Sequence, residues 1–313
     1  MTMRIPAILL GAAALVSAPA AQAETLSFFG YLPANIELPG DVETIATEPL
    51  SGDRGGMAEA ALVDALGSAQ VNGRAWYRIL PGDAAYGDNR VDAVLRGNVS
   101  SSWSRPETSQ RTESKCAEKN KYNTCIRYKQ VETPCYEMRV TVNPRIMLFS
   151  GDGRQLYSRT SPASATRSYC KGDEQPSVEE MARGLVQQIA TQVRDDLAPR
   201  DHVYNVRVME RTSGLQGDAR TIFRNAIRQT KTDQDLACES FASAYAMAPN
   251  QTSVVFNNGL CHERAGDFDG ARALYRKALA NDPGRNYPTA GLGRIASIER
   301  AMAQVARGTQ EPR

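Results

Sequence analysis

The chain holds only two histidines, and one of them stands in Cys261-His262-Glu263, three residue types that ligate metals or carry protons. A metal centre needs three or four convergent ligands. Adjacent residues on a helix point about 100° apart, so this trio cannot converge on its own. The second histidine, His202, follows Asp201 and reads as part of a boundary segment rather than a base with its orienting carboxylate. Gly151-Asp152-Gly153 reads as a hairpin turn rather than an ion loop. No H-E-x-x-H, G-x-S-x-G or phosphate-loop signature occurs, and the other carboxylates are scattered. The expectation is a protein with no catalytic residue, no metal and no cofactor. The remote alternative is a metal-binding protein or enzyme centred on His262.

The totals narrow the class. Residues 1–23 combine Arg4, an apolar run from Ile5 to Val16, and Ala21-Gln22-Ala23, which reads as a secretory signal cut after Ala23. The run is shorter than the roughly 20 residues a membrane span requires. The expected location is the periplasm, with no direct membrane insertion. A formal net charge of +2, or +1 without Arg4, argues against a nucleic-acid partner and against a polybasic membrane clamp. All six cysteines lie beyond the signal and none forms C-x-x-C, so structural disulfides are expected in an oxidising compartment.

Two modules must position whatever the chain does. After an extension at 24–40, residues 41–198 alternate between strand and helix patterns. "VETIATEPL" (42–50) alternates apolar and polar residues, and 57–69 places Ala58, Ala61, Leu62, Ala65 and Leu66 on one helical face. Strands follow at 75–80 and 91–101, the second with Gly97 marking a bulge or close backbone approach. A polar insertion, 102–134, reads as a solvated, disulfide-pinned loop. Residues 136–150 and 154–170 then flank a turn near residue 152. Antiparallel pairing about that turn sets Cys135 opposite Cys170, leaving Cys116 and Cys125 to close a short loop inside the insertion, one of three pairings open to these four cysteines. Ser177 and Glu180 form a capping box for a helix with Val178, Met181, Leu185, Ile189, Val193 and Leu197 on one face. The fold class is an α+β sandwich, a mixed sheet with helices, followed by an all-α part.

The helix at 57–69, the strand "VDAVLRGNV" and the order of the later elements resemble the α+β domain of two lipoprotein families. These are the curli-secretion lipoproteins and the outer-membrane lipoprotein activators of penicillin-binding proteins. The sequence departs from them in having no lipobox cysteine and no readable second helix between the strands at 75–80 and 91–101.

Residues 199–217 read as a linker with a strand at 202–209, and 218–305 as repeats, with a disordered tail at 306–313. An offset of 34 residues aligns Asp233 with Asp267, Ala237 with Ala271, Phe241 with Tyr275, Ala244 with Ala278 and Pro249 with Pro283. That is the tetratricopeptide period. Gly259, Gly266-Asp267-Phe268, Ala271, Tyr275, Ala278 and Asp282-Pro283 resemble that family closely, and 286–305 reads as a terminal capping helix.

In the repeat frame, Cys261 faces the preceding second helix, which implies a Cys238–Cys261 disulfide and an interior packing role for His262. The resemblance also implies a concave peptide groove lined by Ile222, Gln229, Ser253, Phe256, Leu260, Glu263, Tyr287 and Arg294. The functional expectation is an exported adaptor or regulator binding envelope proteins or peptides. The alternative is a soluble accessory component of an outer-membrane secretion complex.

Overall fold

The computed structural model describes residues 24–39, 42–82 and 91–308. The expected signal at 1–23, most of the stretch expected to lack a second helix, and the end of the expected tail lie outside them. The described residues form two compact units, 29–204 with 290–308, and 24–28 with 205–289. This corrects the expected division. The helix that was to cap the repeats clusters from residue 290 onward with the sheet unit, and the start of the extension clusters with the repeats.

The sheet unit is built on a seven-stranded mixed sheet. Strand β2 (Thr44–Thr47) runs parallel to β5 (Arg78–Pro81) and to β6 (Ala93–Ser104). Strand β8 (Cys125–Ser150), 26 residues long, pairs antiparallel with β6, β7 (Glu107–Lys119), β9 (Gln155–Arg159) and β10 (Ala163–Cys170). Strict alternation makes β8 two-faced. Met138, Val140, Val142, Ile146 and Leu148 are fully buried, whereas Arg139, Asn143 and Arg145 are exposed.

Helices α1 (Gly55–Gly67) and α2 (Val178–Leu197) contribute Ala58, Leu62, Leu66, Leu185, Ile189 and Val193 to the same apolar core. Ser177 Oγ accepts from the Glu180 N–H at 3.3 Å, so the Ser177 cap starts α2 where the sequence placed it. The Tyr77 hydroxyl donates to the Leu197 carbonyl at 2.5 Å and ties the far end of α2 to the segment before β5. Gly97 sits where an added Cβ would lie 2.0 Å from the Arg145 carbonyl oxygen, so a close backbone approach, not a bulge, demands the glycine. The strand expected at 75–80 is divided, with β3 (Gln70–Val71) and β4 (Arg74–Ala75) forming a separate small hairpin.

The insertion 102–134 is not a loop. It folds as the outer half of a long hairpin in which β7 runs back along β8, from Glu107↔Tyr136 to Lys119↔Cys125. Polar sequence hid it because both faces of this ribbon meet water, so no apolar alternation marks either strand. Only its pairing makes it a strand.

In the repeat unit, α3 (Gly217–Gln229) pairs with α4 (Gln234–Met247) and α5 (Thr252–Arg264) with α6 (Phe268–Asn281). The 34-residue offset is visible in both caps and cores. Asp233 caps α4 and Asp267 caps α6, while Phe241 and Tyr275, and Ala244 and Ala278, are fully buried. Gly259 allows the second pair to close, since a Cβ there would meet the Tyr275 ring at 3.0 Å. Helix α7 (Asn286–Gly308) follows as one continuous helix, running past the expected start of the tail. The extension is a strand, β1 (Thr25–Leu32), paired with β11 (Arg200–Arg207).

Candidate functional site

The opening trio of residues separates in space. Cys261 is bonded to Cys238, joining α4 to α5. His262 is half-exposed, not interior, because its position on α5 faces the turn into α6. Its Nδ1 lies 2.7 Å from Asp267 Oδ2. That carboxyl is held below the usual range by the Gly270 N–H and then by His262, as suits a helix cap. Glu263 is buried and accepts from the Tyr275 hydroxyl at 2.5 Å. Among the described residues no three His, Cys, Asp or Glu side chains gather as a metal site.

His202 packs edge-on against Tyr204 at 4.5 Å, and Asp201 accepts the Asn72 N–H at 3.3 Å, so the two do not act as a pair. Asp152 accepts from the Ser150 hydroxyl and the Arg154 N–H, and Gly153 has φ +85°, which is the geometry of a turn.

The other two disulfides join Cys116 to Cys125 and Cys135 to Cys170, the latter directly opposite one another across β8 and β10.

The chemistry the repeat unit does display is recognition of extended backbone by side-chain amides. Asn257, in the middle of α5, accepts the Met209 N–H at 2.8 Å and donates to the Met209 carbonyl at 3.0 Å. Gln251 donates from Nε2 to the carbonyls of Arg211 and Ser213 at 3.2 and 3.3 Å. On α4, Gln234 accepts the Ser27 N–H at 2.9 Å and donates to the Thr25 carbonyl at 3.4 Å. Arg264 adds a bond from Nε to the Ser27 carbonyl at 3.3 Å. Two stretches of the chain, 25–27 and 209–213, are thus held on the helices through their main-chain groups.

This changes the expected groove. Ser253, Phe256, Leu260 and Glu263 are buried and do not line an open surface. The α5 face that carries Asn257 is taken by the chain's own segment, whose Val208, Met209 and Leu215 are themselves buried. Phe256 stacks on Tyr275 at 5.4 Å and meets the edge of Tyr287 at 5.6 Å. Ile222 and Gln229 are half-buried on α3, and Tyr287 is 37% exposed. Arg294 is half-buried and belongs to the other unit. The repeat pattern assigns faces for an empty superhelix, and it carries no information that the linker would fill one of them. Asn257, Gln251 and Gln234 escaped sequence reading for the same reason. An amide on a helix has no signature until its partner is placed.

No helix among the described residues is long and apolar enough to cross a membrane.

Comparisons with known proteins locate the repeat. No curated protein matches the sequence. Among solved structures, the PelC dodecamer of Paraburkholderia phytofirmans is similar at 14% identity and TM-score 0.23, covering 53% of this chain and 97% of its own. A point variant of the same dodecamer stands at 12% identity and TM-score 0.25, covering 54% and 98%. The tetratricopeptide repeat model matches residues 253–285, and the α5–α6 hairpin is a tetratricopeptide repeat.

Proposed function

We propose that the chain is an exported, non-catalytic adaptor that binds other proteins or peptides of the cell envelope. The observation that carries this reading is the repeat hairpin itself, a protein-interaction module whose α5 face holds an extended backbone through Asn257. A surface that grips both main-chain groups of one residue suits peptides of any sequence, with side-chain contacts left to set preference. Three disulfides fit the periplasm, an oxidising compartment. Because the chain's own segment occupies that face, a partner has two routes. It displaces 208–215, or it docks elsewhere on the molecule.

Crosslinking in the periplasm followed by mass spectrometry tests the adaptor reading. A reproducible set of envelope proteins that is lost on a truncation that excises residues 205–289 and keeps 290–308 with the sheet unit supports it. Unchanged capture after that truncation, or no specific capture by the full chain, overturns it.

A further inference from the structure

We infer that the tip of the β7–β8 ribbon is a docking site for a membrane surface bearing anionic headgroups. From Val131 to the turn, β8 pairs with β7 alone, so the ribbon reaches roughly 20 Å past the braced part of the sheet. Its end, residues 115–129, carries Lys115, Lys119, Lys121, Arg127 and Lys129 against Glu118 alone. That is a net +4 in a chain whose total is +2, so the rest of the protein is acidic and the positive charge is concentrated here. The whole-chain balance concealed this segregation.

The same tip exposes Tyr122, Ile126 and Tyr128, at 75%, 58% and 64%. Ile126 and Tyr128 alternate with Arg127 and Lys129, so apolar and basic groups take opposite faces and meet at the turn. There the Lys121 ammonium sits 5.0 Å from the centre of the Tyr122 ring. Lys119, Lys121 and Lys129 make no ion pair among the described residues, whereas Lys115 pairs with Glu113 and Arg127 with Glu118. The turn is rigid. Asn120 Oδ1 accepts the N–H groups of Tyr122 and Thr124, and the Cys116–Cys125 disulfide clasps the two strands just behind it.

Tyrosine beside lysine is the combination that settles at a lipid–water interface, where the ring lies among headgroups and the ammonium meets phosphate. Lysine is instead depleted from the cores of protein interfaces, and a stable protein interface recruits more residues than this tip displays. Lysine also lacks the forked donor geometry that reads individual carboxylates, which favours a diffuse anionic surface over a specific acidic site.

Flotation of the full chain with vesicles tests the site. Vesicles of phosphatidylethanolamine with a quarter phosphatidylglycerol should carry the protein up, and pure phosphatidylethanolamine should not. Raising salt from about 0.05 to 0.5 M should release it. Lys119→Glu with Lys121→Glu and Lys129→Glu should lower binding at least tenfold. Tyr122→Ala with Tyr128→Ala should lower it severalfold. Arg183→Glu with Arg220→Glu and Arg224→Glu makes the same charge change on exposed helical positions and should leave binding within twofold.

Circular dichroism of each variant separates loss of the surface from loss of the fold. Absence of flotation on anionic vesicles overturns the inference, as does equal loss in both triple variants. Soluble poly-glutamate that competes fully, together with indifference to the tyrosine changes, overturns it in favour of an acidic protein partner.

Discussion

The side-chain amide of Asn257 closes a two-bond ring with the main chain of Met209, accepting its N–H at 2.8 Å and donating to its carbonyl at 3.0 Å. Asn257 is fully buried and Met209 nearly so. In an extended segment that leaves no helix or sheet ladder for those groups, the amide is what satisfies them. The segment is therefore fixed on the repeat by polar complementarity as much as by the burial of Val208 and Leu215.

Removing that amide strands two buried main-chain groups. Asn257→Ala is expected to cost about 2–6 kcal/mol, at about 1–3 kcal/mol for each of the two unsatisfied groups. The exposed bond from Asn281 Nδ2 to the Asn250 carbonyl is the control. Asn281→Ala should cost a few tenths of a kcal/mol, because water replaces the lost partner. Urea midpoints decide the matter, with amide exchange at 208–210 as the local readout. Equal effects from the two substitutions would show that the clamp does not hold the segment.

The disulfide between α4 and α5 constrains a 23-residue loop. Replacing both Cys238 and Cys261 by serine should destabilise the repeat unit by about 3 kcal/mol on the chain-entropy estimate. The melting transition of that unit should fall while the core of Met138, Val140 and Leu148 keeps its exchange protection. A matching fall in protection there would mean that the two units unfold as one.

The ribbon makes a kinetic prediction. Two strands alone are marginal in water, and β7 is exposed along nearly its whole length. Cys116→Ser with Cys125→Ser should therefore open the tip to trypsin at Lys119, Lys121 and Arg127 at least tenfold faster than in the parent. Cleavage elsewhere should be unchanged, since Cys135–Cys170 and the β6–β8 pairing lie behind the ribbon. Equal cleavage rates in the two proteins would mean that pairing by itself orders the tip.

What could be read in advance divides along one line. Features set by local repetition were legible. The 34-residue register aligned Asp233 with Asp267, which the structure shows capping α4 and α6, and the symmetry about residue 152 placed Cys135 opposite Cys170. Features set by where two distant stretches meet were not. Nothing local marks Asn257 as the partner of Met209, and nothing in "RTESKCAEK" alternates in hydrophobicity to announce β7. Ser253, Phe256 and Leu260, expected to line a groove, are buried, and Phe256 meets Tyr275 and Tyr287. Whether the α5 face that carries Asn257 meets solvent or the chain's own linker depends on a contact about 45 residues away in sequence.

The brace at the ribbon's base carries a pH dependence whose sign follows from one ion pair. Arg111 donates to both carboxylate oxygens of Asp173 at 3.0 Å, and Asp173 also accepts the Cys170 N–H. The Arg111 guanidinium, followed by that N–H, holds the Asp173 carboxyl below its ordinary range. A carboxyl whose folded-state pKa is depressed contributes stability above its unfolded value of about 3.9, and loses it as pH falls through the lower folded value. The difference in melting midpoint between the parent and Asp173→Asn should accordingly be constant from pH 8 to pH 5. It should shrink toward zero below about pH 4. Because the pair is exposed, the difference should be small and should narrow further at high salt. A difference that grows on acidification would show that Asp173 is protonated in the folded chain and that Arg111 is not its partner.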